Sequence, residues 1–307
     1  MSSKLTVLSF GGGQDSTALL YRYVYDLAFR AKYAPNDFVV IMADTGDEHP
    51  STVAHVKSTR DFCKEHGVEF VLITSEMGFH PTSWQGLREF YRLKNTIGSK
   101  AFPKTCTDNL KLVPIYKFLG AWLSEKYGVR NVRKSAFKEF AEKHGEINML
   151  IGIAKGEETR MSSETPEWIV NKQGKNVRPP RFWMRGTVKR VYPLVDLGMD
   201  RKGCQEYIAS VGKPVPTPSN CVLCPFMSEI ELLWLYRFMP EDYADWVGME
   251  ANKIAANAHK GDQNLGVWGK KLLPEKLAEA QKKFGHMTDA ELQEYKMSHG
   301  HCVKSKY

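Results

Sequence analysis

Two rhythms of apolar residues run through the first half of the chain. Residues 5–10, 38–43 and 68–73 are short, nearly continuous apolar runs of strand length, and residues 148–154 form a fourth. Between them, residues 17–27 and a stretch reaching about residue 66 place apolar side chains at helical spacing. Buried strands alternating with helices predict an α/β fold, a doubly wound parallel sheet whose ligands gather at the carboxyl ends of its strands.

The pattern changes near residue 191. Residues 197–211 predict a helix, Gly212-Lys-Pro-Val-Pro-Thr-Pro218 is a non-helical connector, and the sequence after Ser228 has helical composition broken at Pro274 and Gly285. These shifts predict an α/β domain over 1–195, a cysteine-bearing connector over 196–228 and a helical C-terminal subdomain over 229–307. At 307 residues the chain is long enough to bury a core without disulfides. It has no 18-residue apolar run, which excludes a transmembrane helix, and Met1-Ser-Ser-Lys4 runs into too short an apolar stretch for a signal peptide. The expected compartment is therefore reducing cytoplasm, with no membrane partner. The formal charge of +8 favours anionic partners without choosing among nucleotides, nucleic acids and smaller anions.

The sharpest local signal is Ser9-Phe-Gly-Gly-Gly-Gln-Asp-Ser-Thr17, at the end of one predicted strand and the start of a helix. Glycines there let the backbone turn tightly and aim N–H groups at a phosphate, which also meets the positive end of the helix. Neither the Walker A nor the dinucleotide glycine spacing is present. At the next strand end stands Asp44-Thr45-Gly46, a second candidate edge of a nucleotide site.

The loop resembles the PP-loop, Ser-Gly-Gly-x-Asp-Ser. In the phosphoadenosine-phosphosulfate (PAPS) reductase-like branch it reads Ser-Phe-Ser-Gly-Gly-Lys-Asp-Ser, which falls on Ser9 to Ser16 with Gly11 for a serine and Gln14 for a lysine. Four further motifs follow in the branch's order: Asp44-Thr-Gly46; Cys106-Thr-Asp-Asn-Leu-Lys-Leu-Val-Pro114; Gly152, Ile153, Glu157 and Arg160; and Pro193-Leu194 with Cys221-Val-Leu-Cys224. The resemblance covers about residues 5–226 and not the helical tail.

It implies a HUP-like PP-loop domain in which Ser9, Phe10, Gly11, Gly12, Gly13, Gln14, Asp15, Ser16, Asp44, Thr45, Gly46, Lys111 and Gly152 bind an adenine nucleotide. Asp15, Ser16, Glu157 and Arg160 would be catalytic. In ATP-using members, an acceptor oxygen attacks the α-phosphorus, leaving pyrophosphate and an adenylated acceptor primed for sulfur transfer, with Mg²⁺ offsetting charge. The alternative within the family is a PAPS- or adenylylsulfate-type sulfonucleotide reductase. An alternative of another class is a nucleotide-sensing or zinc-stabilised binding module without turnover.

Six cysteines are few for a disulfide framework. Cys221 and Cys224 on one turn, with remote Cys106, can supply three thiolate ligands, which suits an iron–sulfur cluster or zinc. Cys204, a histidine or an open iron would complete the set. Cys302, in His299-Gly-His-Cys, is read as an idle tail thiol, and Cys63 as core.

From residue 171 to 190 there are seven basic residues, Lys172, Lys175, Arg178, Arg181, Arg185, Lys189 and Arg190, with no acidic ones and with Phe182-Trp183 between them. Basic groups interleaved with aromatics suit phosphate contact and base stacking, so tRNA or DNA is a candidate partner, through Arg178, Arg181, Trp183, Arg185, Lys189 and Arg190. A solvated loop with tucked-in apolar residues is the other reading. A sulfur donor protein and a second copy of the chain complete the candidate partners.

Overall fold

A computed structural model describes residues 3–132 and 134–299. Its strands are β1 (Leu5–Ser9), β2 (Asp37–Ala43), β3 (Glu69–Ile73), β4 (Ile147–Ile151), β5 (Ile169–Val170), β6 (Asn176–Val177) and β7 (Val188–Val191). Five of them form one sheet in the order β3-β2-β1-β4-β7, parallel at every pairing, and β5 and β6 form a separate antiparallel hairpin. The chain steps outward from β1 to β2 to β3 and resumes on the other side of β1 at β4. The order therefore reverses between β1 and β4, where a parallel sheet opens a crevice beyond its carboxyl ends. Ser9 is in register with Ile41 on one side and Ile151 on the other, so the loop after β1 starts at that crevice.

The helices are α1 (Gln14–Tyr25), α2 (Leu27–Tyr33), α3 (Pro50–Glu65), α4 (Leu87–Lys94), α5 (Val113–Tyr127), α6 (Ser135–His144), α7 (Pro193–Asp196), α8 (Arg201–Ser210), α9 (Glu229–Phe238), α10 (Pro240–Ala256), α11 (Leu273–Phe284) and α12 (Asp289–Ser298). Successive strand residues face opposite sides, and both sides are covered. Val7, Ile41 and Met149 meet Leu119 and Phe137 of α5 and α6. Leu8, Val40 and Leu150 meet Leu19, Phe62 and Ile208 of α1, α3 and α8. A third core gathers α9 to α11 around the fully buried Trp246, and Leu87, Tyr91 and Leu110 join it together with Val222 and Leu223 of the connector. Capping boxes at Ser228/Glu231 and Thr288/Glu291 start α9 and α12.

Two helices differ from their sequence reading. The 17–27 pattern is interrupted at Asp26, whose carboxylate accepts the Phe29 N–H at 2.9 Å and starts α2. The 197–211 helix begins only at Arg201, because Gly198 adopts φ 69° and Asp200 caps α8 by accepting the Gly203 N–H at 2.8 Å. Among the described residues no helix is long and apolar enough to cross a membrane.

Candidate functional site

Beyond β1 the Phe10 N–H donates to the Ile41 carbonyl at 2.9 Å, and the chain then turns through Gly11–Gly13 into α1. Gly13 is the N-cap residue, and no side chain caps the helix. The loop is braced from within: the Gly11 N–H donates to Ser16 Oγ at 3.2 Å, and Ser16 Oγ donates to the Gly13 carbonyl at 3.2 Å. The glycines have different reasons. Gly12 sits at φ 72°, and a Cβ there would meet Thr52 and Val56 of α3. A Cβ on Gly13 would meet the backbone of Ser219 in the connector. Only at Gly11 would a Cβ enter open space, so it is Gly11 whose missing side chain leaves room for a ligand. Gly152, just beyond β4, packs so closely on α1 that a Cβ would lie 2.9 Å from the Ser16 nitrogen.

The cleft over this loop is lined by Gly11, Asp15 and Ser16, by the apolar side chains of Ala43, Leu112, Ile115 and Ile151, and by the cations Lys111, Arg160 and Arg201. Ser219 and Asn220 of the connector close one side. One oxygen of Asp15, Oδ1, is buried and has no hydrogen-bond partner among the described residues. Burial pushes the Asp15 carboxyl up to about 6, with Glu157 adding to the rise and Arg201 and Arg160 opposing it. Glu157 joins the two arginines, bonding to Arg160 and, at 2.7 Å, to Arg201. Lys111 lies 3.4 Å from Glu48. Arg201 was not legible as a site residue, since α8 carries it into the cleft from far along the chain.

Gln14 is turned to another task. Its amide donates to the carbonyls of Pro216 and Met297 at 2.9 and 3.1 Å and accepts from Gln205, which ties the loop to the connector and to the end of α12. Asp44, Thr45 and Gly46 stand at the end of β2, but their neighbour Ala43 is the residue that lines the cleft. Asp44 Oδ1 accepts the Gly46 N–H, and Gly46, at φ 66°, packs against Gly86. Thr45 Oγ1 donates to Glu48 at 3.1 Å and accepts from Cys221 Sγ at 3.4 Å. The neighbouring Asp47 accepts N–H groups of Val222 and Leu223 and binds Arg88. The loop after β2 thus fastens the cysteine turn beside the cleft.

Cys106, Cys221 and Cys224 converge on Tyr91. Its hydroxyl is pushed well above the usual tyrosine range by burial and then by all three cysteines. The Cys221 thiol is pushed up by burial, Glu48 and Asp47, against Lys111. Shared neighbourhood is not a ligand set, however. Among the described residues no group of three His, Cys, Asp or Glu side chains is placed to hold a metal ion. Cys204 cannot complete such a set, because α8 buries it in the α1 core, on another face of the molecule from Cys106 and Cys221. Cys63 is buried in that same core, and Cys302 lies outside the described residues.

The basic stretch divides. Trp183 is partly buried and packs on Tyr116 and Phe137 of the core, with ring centroids 5.2 and 4.7 Å away. Arg181 pairs with Asp108, and Arg185 pairs with Glu167 at 3.2 Å. Arg190 donates to the Ser163 carbonyl at 3.1 Å, and Lys189 points outward from β7. Arg178 lies over the Phe182 ring at 4.1 Å.

No protein-family model matches the chain, and no curated protein matches its sequence. Among solved structures the chain is similar to the U34-tRNA thiolase NcsA from Methanococcus maripaludis, solved with its [4Fe-4S] cluster. The identity is 12% and the TM-score 0.40, over 94% of this chain and 75% of that one.

Proposed function

We propose that the chain is an adenine-nucleotide-dependent enzyme that activates an acceptor by adenylation and passes sulfur to it. The observation that carries this reading is the cleft at the β1–β4 reversal, where an uncapped helix N-terminus, an orphaned Asp15 oxygen and three cations face an apolar wall. The phosphates of ATP would meet residues 11–16 and Lys111, Arg160 and Arg201, and the base would meet Ala43, Leu112, Ile115 and Ile151, all of which line the cleft. Asp15 Oδ1, buried and unpartnered, suits a Mg²⁺ ion that would offset charge on the leaving pyrophosphate.

In the reaction an acceptor oxygen forms a bond to the α-phosphorus as the bond to the bridging oxygen breaks. The electron pair departs with pyrophosphate, and the acceptor's proton goes to solvent. Charge grows on the departing oxygen, which loop N–H groups and the arginines that Glu157 braces would stabilise. A hydrosulfide from a sulfur donor then forms a C–S bond at the carbon that bears the adenylated oxygen, the C–O bond breaks with its electron pair leaving on AMP, and the hydrosulfide's proton goes to solvent.

Pyrophosphate release from Mg·ATP in the presence of candidate acceptors tests the reading. Asp15→Asn and Arg201→Ala should each lower it about 100-fold or more. Sulfite release from a sulfonucleotide, with no pyrophosphate from ATP, would replace this reading with the reductase one.

A further inference from the structure

Beside the cleft stands a surface that nucleotide binding leaves unexplained. β5 and β6 pair Ile169 with Val177 and Val170 with Asn176. Asn171 Oδ1 accepts the N–H groups of Gln173 and Lys175, each at 2.9 Å, and Gly174 at φ 75° completes the turn, so the hairpin has a fixed shape. At its base Trp168 is 53% exposed, too much for a core residue. Beside it is Arg178, whose guanidinium lies 5.5 Å from the Trp168 ring and 4.1 Å from that of Phe182.

Charge on this surface is only partly compensated. Of the seven cations in 171–190, Arg181 and Arg185 have carboxylate partners. Lys172, Lys175, Arg178, Lys189 and Arg190 have none among the described residues. The surface also leads somewhere: Arg181 and Arg190 line a small cavity whose wall includes Ser9 and Ile151, residues that line the nucleotide cleft as well.

A partner that suits an exposed indole flanked by unpaired cations is anionic and presents flat apolar faces. Single-stranded nucleic acid has both properties, whereas a duplex hides its base faces in the stack. We infer that the 168–178 hairpin is a docking platform for single-stranded nucleic acid, with one base stacked on Trp168 and adjacent phosphates on Lys172, Lys175 and Arg178. From there the strand runs past Arg181 and Arg190 to the cleft. That this strand is the acceptor rests on the adenylation reading; its binding does not.

The test is fluorescence anisotropy of labelled single strands of about 15 nucleotides, RNA and DNA, and of the matching duplex, with the full chain and no ATP. At low salt a single strand should bind at least about tenfold more tightly than the duplex. Trp168→Ala should weaken it about tenfold, with Trp168→Phe close to wild type. Lys172→Glu with Lys175→Glu should flatten the dependence on salt by about two counterions. Equal binding of duplex, wild-type affinity in Trp168→Ala, or no binding at low salt would each overturn the platform. Mg·ATP affinity measured on the same proteins separates the two claims. A chain that binds Mg·ATP but no strand loses the platform and keeps the nucleotide reading, and a chain that binds strand through Trp168 but no Mg·ATP does the reverse.

Discussion

Asp15 joins the electrostatics of the cleft to the stability of the fold. Its carboxyl is raised from 3.8 to about 6 by burial, so between those values the folded chain holds a proton that the unfolded chain releases. Its contribution to stability is therefore fully present below about pH 4 and is lost as pH rises through 6. Asp47, raised to about 6 chiefly by burial, titrates in the same window, so the Asp15 share is the difference between wild type and Asp15→Asn. Denaturant melts from pH 4 to 8 should show the variant losing less stability across that window. Binding of Mg·ATP by wild type should weaken below pH 6, where a proton competes for the carboxylate. Glycines give a second prediction. Gly11→Ala should leave stability near wild type and weaken nucleotide binding, whereas Gly12→Ala should cost about 1–2 kcal/mol of stability, because Cβ at φ 72° is strained and meets Thr52. Paired melts and calorimetric titrations would tell them apart; equal effects on both readouts would contradict this division of roles.

Among the elements, strands that are continuous apolar runs were legible, and those interrupted by charge or fixed by a long crossover were not. β1 to β4 stand out as apolar runs because helices cover both sides of the sheet. β7, with the sequence Val-Lys-Arg-Val, is an edge strand that points Lys189 to solvent, and its two central charges hide it. The glycine loop was legible because its chemistry is contiguous. Arg201 was not, because its place depends on where Asp200 caps α8, a tertiary outcome. The role of Gln14 was equally hidden, since its partners Pro216 and Met297 are distant in sequence. One element-scale prediction concerns α4. Arg88 binds the buried Asp47 of the β2 loop and also Asp242 and Asp245 of α10, so Arg88→Leu should cost about 3–5 kcal/mol by leaving Asp47 buried without its cation. Guanidinium denaturation would check it, and a loss under 1 kcal/mol would show that Asp47 finds another partner.

At the scale of the whole molecule two of the cores reach the cleft, one through Ile115 and Ile151 and the other through Phe10. The end of α12 is held there: Gln14 and Gln205 donate to the Met297 carbonyl, and Arg201 donates to that of Ser298. The residue that follows the glycine loop and a cation of the cleft therefore both hold the helical C-terminal part. Nucleotide binding should slow amide exchange in α12 as well as in α1, and exchange unchanged in α12 would mean that the two parts are not coupled. If the cleft is a Mg·nucleotide site organised by Asp15, ATP affinity should depend on both the metal and that carboxylate. Calorimetric titration of ATP, with and without Mg²⁺, into wild type and Asp15→Asn measures this. Wild type should show one site, tighter with Mg²⁺, and the variant should lose at least about tenfold of the Mg²⁺-dependent affinity. No binding by wild type, or equal Mg²⁺-dependent affinity in both proteins, would contradict it.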